Sequence, residues 1–235
     1  MRDRITGPIV TLRTDRRRTS IRKAAPLVSN APYASPALII SECQRGILEP
    51  GRSISAGLAQ LAAARRIVPR TAELAGEFRS RGLPVVHCII EHRDDQKGLL
   101  ANSWLGAMAL RHKSMTAGTT DVEIPAELGP EPGDIVSSRA TGLTAFYGTD
   151  LDAMLRLQRV ETLVLAGIST NVALPGLALE AVNRGYSVVL AEDCTAGSST
   201  ETHEFMVANM LAMLTRVTPA ADIIGRLPGR SGERE

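Results

Sequence analysis

The sequence predicts a three-layer, doubly wound α/β fold built on a Rossmann-like, mostly parallel sheet. Three observations predict it. Apolar runs of strand length alternate with segments of helical period. The chain is 44% hydrophobic but only 3% aromatic, so its core must be made of Ala, Val, Leu and Ile, as when Ala-rich helices cover buried parallel strands. Polar residues enter these runs at their C-terminal ends, where open parallel sheets gather ligands.

Taken in order, Ala24–Pro36 is a Pro/Ser-rich lead-in and Ala37–Gln44 (ALIISECQ) the first strand. Leu58, Leu61, Ile67, Val68, Leu74 and Phe78 recur at three- and four-residue spacing, giving a helix over Ala56–Arg81 that Pro69 should break. Gly82-Leu83-Pro84 ends it, and Val85–Glu91 is the second strand. The section from His92 to Gly133 is irregular, with a helical piece near Ser103–Arg111 and a polar patch at Thr116–Thr120; a connection of this length is expected to form the rim or lid of a pocket. Asp134–Val136 is a short strand. Thr149 is the expected N-cap of a helix to Gln158. The strands Thr162–Ala166 and Ser187–Ala191 flank a helix over Leu174–Arg184 with Gly185 as its stop. A last helix, Glu201–Leu214, leads to a strand at Val217 and a polar tail. One domain over residues 36–225 is expected, between a basic arm (1–35) and the tail (226–235).

The net charge is only +2, yet eight Arg and Lys lie between Met1 and Lys23, so the remainder is slightly acidic. With no aromatic residues interleaved, the arm is expected to be solvated or to cross to another subunit, and nucleic acid is not expected as a partner. Cys43, Cys88 and Cys194 are too few and too scattered for a disulfide framework or a zinc site, which fits reduced thiols in a cytoplasmic protein. No apolar run reaches membrane-spanning length, and no signal core precedes the domain.

The organising stretch is Gly167-Ile168-Ser169-Thr170-Asn171-Val172-Ala173, where a strand passes through a turn into a helix and leaves a row of backbone N–H groups at the helix start, suited to an anionic or oxyanionic group. Together with Ala37–Gln44, Thr144–Leu151 (TAFYGTDL), Leu163–Val172 (LVLAGISTNV), Ala181–Tyr186 and Glu192–Ala196, it resembles the isochorismatase-like hydrolase superfamily over residues 36–215. The resemblance implies a small-molecule substrate, a homo-oligomer whose neighbour helps close the pocket, and a non-proline cis peptide at Ile168–Ser169.

The family's catalytic Asp, Lys and Cys are each replaced on this alignment: Glu42 stands for the Asp, Arg139 is nearest the Lys, and Ala173 occupies the nucleophile position. A methyl group cannot form the acyl intermediate of an amidohydrolase. True isochorismatases also lack the cysteine, since vinyl-ether hydrolysis needs a general acid and no nucleophilic side chain, and Glu42 is the candidate acid. Asp95–Gly106 (DQKGLLANSWLG) resembles the isochorismatase stretch that lines the substrate, which implicates Gln96, Lys97 and Trp104 at the entrance and leaves the Ile168–Ser169 backbone as part of the anion cradle. Against the acid role, a guanidinium beside Glu42 would hold it ionised, and the alternative is a catalytically silent binding protein. Val172 and Leu174-Pro175 differ from the usual surroundings of the cysteine, so Ala173 is read as native rather than engineered.

The blander readings are explicit. If Glu42 faces the site, strand alternation turns Cys43 to the helix layer as an inert thiol. No His is seen that could activate Ser169 or Thr170, so both are given turn and capping duty. Trp104 is open between packing and a substrate platform. His87, Glu91, His92 and Asp94 lack the family's Asp-x-His metal spacing, and neither metal nor other cofactor is expected.

Overall fold

A computed structural model describes residues 31–229; of the basic arm expected over residues 1–35, the Arg- and Lys-rich part, Met1–Lys23, lies outside the described residues. Six strands form one sheet in the order β3-β2-β1-β4-β5-β6, every neighbouring pair parallel: β1 (Pro36–Ser41), β2 (Val85–Ile90), β3 (Ile135–Arg139), β4 (Thr162–Ile168), β5 (Ser187–Ala196) and β6 (Arg216–Thr218). The direction of winding reverses between β1 and β4, so their C-terminal ends open onto the crevice where doubly wound sheets hold ligands.

The alternation of side chains in the central strands builds both core layers. Leu38 and Ile40 of β1, with Val164 and Val189, pack under α2 (Ala56–Ala64), α3 (Ile67–Arg79) and α9 (Ala220–Ile224) through Leu58, Leu74, Phe78 and Ile223. Ala37 and Ile39, with Leu163, Leu165 and Leu190, pack on the other face under α5 (Leu151–Leu157) and α6 (Ala173–Asn183) through Leu151, Leu155, Leu174 and Leu177. Phe78 is the one aromatic side chain among the largest fully buried ones, in keeping with the aliphatic composition. Leu227, past the expected domain end, is buried in the first layer, Tyr33 before it packs against the same layer, and the Tyr33 N–H donates to the Arg226 carbonyl, so the two flanks meet on the domain.

Several boundaries moved, each for a local reason. The break in the first long helix is at Arg66, which takes a left-handed φ of 56°, and not at Pro69. Pro69 instead sits in the first turn of α3, where a missing N–H costs no intrahelical bond. The break frees Arg65 to reach the end of β5, where Nε donates to the Thr195 carbonyl (2.8 Å) and Nη2 to the Glu192 carboxylate (2.6 Å). β3 continues to Arg139 instead of ending at Val136. Asp150, not Thr149, holds the N-cap position of α5; the Thr149 hydroxyl donates to the Ala145 carbonyl (2.7 Å). β5 runs on to Ala196 after a register shift opposite Leu165–Gly167. The last long helix is α7 (Thr200–Met206) joined through a π-helical turn at Val207–Leu211 to α8 (Ala212–Leu214). Gly185 has φ 86° and ends α6 as expected. The short helices α1 (Arg45–Leu48) and α9 were not anticipated, being too brief to show a period. The lid section carries α4 (Trp104–His112), capped by the Ser103 hydroxyl accepting from the Gly106 N–H (3.1 Å).

Candidate active site

A cavity of about 160 Å³, partly open to solvent, lies over the C-terminal ends of β1, β2, β3 and β4. Glu42, Arg139, Ser169, Ala173 and Trp104 line it, as do His92, Ile90 and Met115. Its wall is mainly apolar, from α2, α4 and the start of α6, with the charged groups collected at the strand ends.

Glu42 follows the last residue of β1 and has a left-handed φ of 52°. A non-glycine residue in this region is held there by its surroundings, and such outliers gather at functional sites. Here the Glu42 N–H donates to the Cys88 carbonyl (2.8 Å) and its carbonyl accepts from the Gln44 N–H (2.9 Å). The buried Gln44 side chain then ties the turn to its neighbours, accepting from the Ile90 N–H (2.8 Å) and donating to the carbonyls of Ile90 and Val122. Because Glu42 has left the strand, the alternation argument for Cys43 does not apply. Cys43 is nevertheless buried in the core beneath α2 and α3, and burial pushes its thiol far up.

Arg139 ends β3, opposite Ile90 of β2. Its Nη2 donates to the Glu42 carboxylate, and the two side chains are 4% and 12% exposed, so this is a nearly buried ion pair. Arg139 Nε is buried with no partner among the described residues. A guanidinium has five donors in a fixed fork, so the pair leaves Arg139 with hydrogen-bonding capacity it has not used.

His92 stands two residues past β2 and is fixed from three sides. Its N–H donates to the Met115 carbonyl (2.7 Å), its carbonyl accepts from the Ala117 N–H (2.8 Å), and Nδ1 meets the Ala140 carbonyl at 3.0 Å. Burial lowers the imidazole from its ordinary value, and the nearby Arg139 adds to this against the opposing effects of the Ala140 contact and Glu42.

At the end of β4, Gly167 has φ 97°, and a Cβ there would overlap the Ser41 backbone, so this position requires glycine for both conformation and space. The Ile168–Ser169 peptide is cis. Ile168 points into the core and is fully buried, so its side chain does not reach the cavity; Ser169 does. The turn is locked from behind: the Thr170 N–H donates to the Ala196 carbonyl (2.9 Å), and Asn171 exchanges hydrogen bonds with Ser198. The view that no His approaches these hydroxyls is corrected, because His203 on α7 brings Nδ1 to 3.2 Å from Thr170 Oγ1 and Nε2 to 2.9 Å from the Glu192 carboxylate. Thr170 is fully buried and absent from the cavity lining, so the network clamps the turn, consistent with a structural duty for Thr170. Nothing in the spacing of residues 170 and 203 revealed it. Val172 and Ala173 bring the first turn of α6, with the positive end of its dipole, to the cavity.

Two expected entrance residues are corrected. Gln96 and Lys97 are not part of the lining. Gln96 takes a left-handed φ of 57° and donates from Nε2 to the Arg93 carbonyl (3.2 Å), while Lys97 is 84% exposed on the Asp95 turn. Trp104 does reach the rim, 65% exposed, so packing in the core is ruled out for it. His92, considered above as a metal ligand, lines the cavity as a polar residue just past a strand end, the same signal that marks Glu42. Among the described residues no cluster of three or more His, Cys, Asp or Glu side chains is arranged to hold a metal, and no helix is long and apolar enough to cross a membrane.

Comparison with known proteins agrees with this geometry. The model of the isochorismatase domain matches residues 36–222. The isochorismatase family protein YecD of Escherichia coli O157:H7, itself uncharacterized, is 30% identical over 200 residues, covering 81% of this chain and 95% of that one. The ureidoacrylate amidohydrolase RutB of Methylobacterium radiotolerans is 27% identical over 192 residues, covering 75% of this chain and 73% of its own. The crystal structure of an isochorismatase family protein from Desulfovibrio vulgaris superposes with a TM-score of 0.71 at 27% identity, covering 82% of this chain and 99% of that one. With the domain matched from the first strand into α9 and the parallel sheet reproduced in a relative's crystal structure, the chain belongs to the isochorismatase-like hydrolase family.

Proposed function

We propose that this chain hydrolyses a small molecule held between α4, the start of α6 and the ends of β1–β3, by direct attack of water and without a covalent intermediate. The observation that carries this is that the Ala173 methyl lines the same cavity as the Glu42–Arg139 pair, while Cys43, Cys88 and Cys194 are all buried and absent from the lining. No thiol is then available to form an acyl-enzyme. In this reading Arg139 polarises a substrate oxygen with the donors that Glu42 leaves unused, Glu42 fixes that guanidinium, and the Ser169–Ala173 backbone receives developing negative charge. The vinyl-ether form of the reaction would need Glu42 as a proton donor; as the acceptor in an ion pair it is better suited to electrostatic work. The buried thiols fit a reducing cytoplasm, and Leu157, Phe205 and Met213, exposed apolar side chains, fit burial against further copies of the chain.

One observation favours a second reading, a binding protein without chemistry: Glu42 and Arg139 neutralise each other's charge with no substrate present. The test is to assay purified protein against isochorismate, simple amides, ureido acids and N-carbamoyl compounds, beside Glu42→Gln and Ala173→Cys variants. Turnover lost in Glu42→Gln and not raised by Ala173→Cys supports the proposal. Ligand retention without turnover of any compound favours the binding protein, and amidase activity confined to Ala173→Cys would mark Ala173 as the lesion of a thiol enzyme.

A further inference from the structure

We infer that His92 is the base that takes the proton from the attacking water. The inference rests on the hydrolase reading above and supplies what that reading lacks, a group that can accept a proton at neutral pH. Glu42 has its carboxylate committed to Arg139, and the Ser169 hydroxyl is no base. His92 lines the cavity with both of them.

The hydrogen-bond pattern decides which ring nitrogen is available. A carbonyl oxygen only accepts, so the 3.0 Å contact between Nδ1 and the Ala140 carbonyl puts the proton on Nδ1. Nε2 therefore carries the lone pair. It has no protein hydrogen-bond partner among the described residues, and the residue that carries it lines the cavity. A backbone carbonyl on Nδ1–H fixes both tautomer and ring orientation, the arrangement a general base requires. The two main-chain hydrogen bonds to Met115 and Ala117 hold the residue itself in place.

Burial is the main influence that disfavours the charged ring, and the charges around it act in opposite directions. Arg139, from the end of β3, disfavours imidazolium and Glu42, from the turn after β1, favours it. On its own strand end, Glu91 accepts from the Ser138 hydroxyl (3.3 Å) and Arg93 pairs with Asp95 (2.7 Å). Met115–Ala117, which brackets His92, brings no charge.

The proton accounting closes. Water gives a proton to Nε2 as its oxygen bonds to the acyl carbon, and the carbonyl electron pair moves to oxygen beside the first turn of α6. The oxyanion then reforms the carbonyl, the bond to the leaving nitrogen or oxygen breaks, and that atom takes the proton from Nε2. The products are the acid and the amine or alcohol, and His92 returns to its starting state.

The experiment uses the whole chain with whichever compound of the panel it turns over. In His92→Gln, kcat should fall at least about 100-fold with KM within a few-fold, and the acid limb of the wild-type kcat/KM profile, set below the ordinary histidine value, should vanish. A His92→Gln variant that keeps kcat within about 10-fold and retains the acid limb overturns the role of His92 while leaving the hydrolase reading intact; a wild type that turns over nothing overturns the hydrolase reading first. Nitrogen-15 NMR of the histidine-labelled wild type provides a readout independent of the variant's folding. His92 should show a protonated Nδ1 and bare Nε2 at neutral pH, and the opposite tautomer or an imidazolium refutes the inference whether or not turnover is found.

Discussion

The Glu42–Arg139 pair allows a quantitative test through a double-mutant cycle. With side chains 4% and 12% exposed, neither charge can be hydrated as it would be in water. Breaking a buried pair by removing one partner costs 3–5 kcal/mol as a rule, because the survivor is left uncompensated. Arg139→Met should fall at the low end, about 3 kcal/mol, since Glu42 borders a cavity that admits water. Glu42→Gln keeps its volume and an acceptor oxygen but leaves a guanidinium without counter-charge, and about 2 kcal/mol is expected. With both replaced no charge is stranded, and the remaining cost is again about 2 kcal/mol, so the coupling is about 3 kcal/mol. Urea unfolding of the four proteins, compared only where the slope m is unchanged, measures it. If the double variant loses the sum of the two single losses, so that coupling is below about 0.5 kcal/mol, the two residues do not act as a pair and the account of Arg139 fails.

Three further outcomes can be checked. Gly167→Ala puts a Cβ on the Ser41 backbone at a φ of 97°; the central β1–β4 pair must part, and a loss of more than about 2 kcal/mol in the same unfolding assay is expected. Burial drives the Cys88 and Cys194 thiols up to about 12 and Cys43 higher still, so the native protein should be inert to a neutral disulfide reagent, whereas Ala173→Cys should titrate one thiol per chain; reaction of the wild type would contradict the packing. Burial also lowers His87 and His92 below their ordinary value. The unfolded chain then binds protons that the folded one refuses, so the stability these residues contribute is complete above about pH 6.5 and declines as pH falls through the unfolded value. Melting temperatures between pH 7 and pH 5 should drop less in a His87→Gln, His92→Gln double variant than in the wild type.

The sheet was legible because each of its central strands is an uninterrupted apolar run, and a run buried on both faces has few alternatives. Glu42 was legible as a polar residue where a strand ends, whereas Arg139, Ser169 and Ala173 came from the family resemblance; the fold brings all four to one cavity. What escaped depends on conformation that residue identity does not encode. The left-handed turn at Arg66 moved a helix break away from Pro69, since proline disrupts a helix interior but not its first turn. A left-handed Glu42 annulled the alternation used to orient Cys43, although core volume buried the thiol anyway. Gln96 and Lys97 sat in a matching motif, but the chain around Asp95 turns them from the cavity. The His203–Thr170 contact joins residues brought together only by the fold.

The strand order has a consequence for how such a protein changes over generations. Glu42, Arg139 and Ala173 reach one cavity from three separate segments, after β1, at the end of β3 and at the start of α6, while the layers beneath are held by aliphatic side chains that none of the three supplies. Because Ala173 is a small residue at the cavity edge, exchanging it for another small one asks little of the core. At Ala173, unlike the Glu42–Arg139 pair, reactivity and foldability are inherited on different residues, so a lineage can trial one small side chain after another there while the scaffold stays under its own constraint.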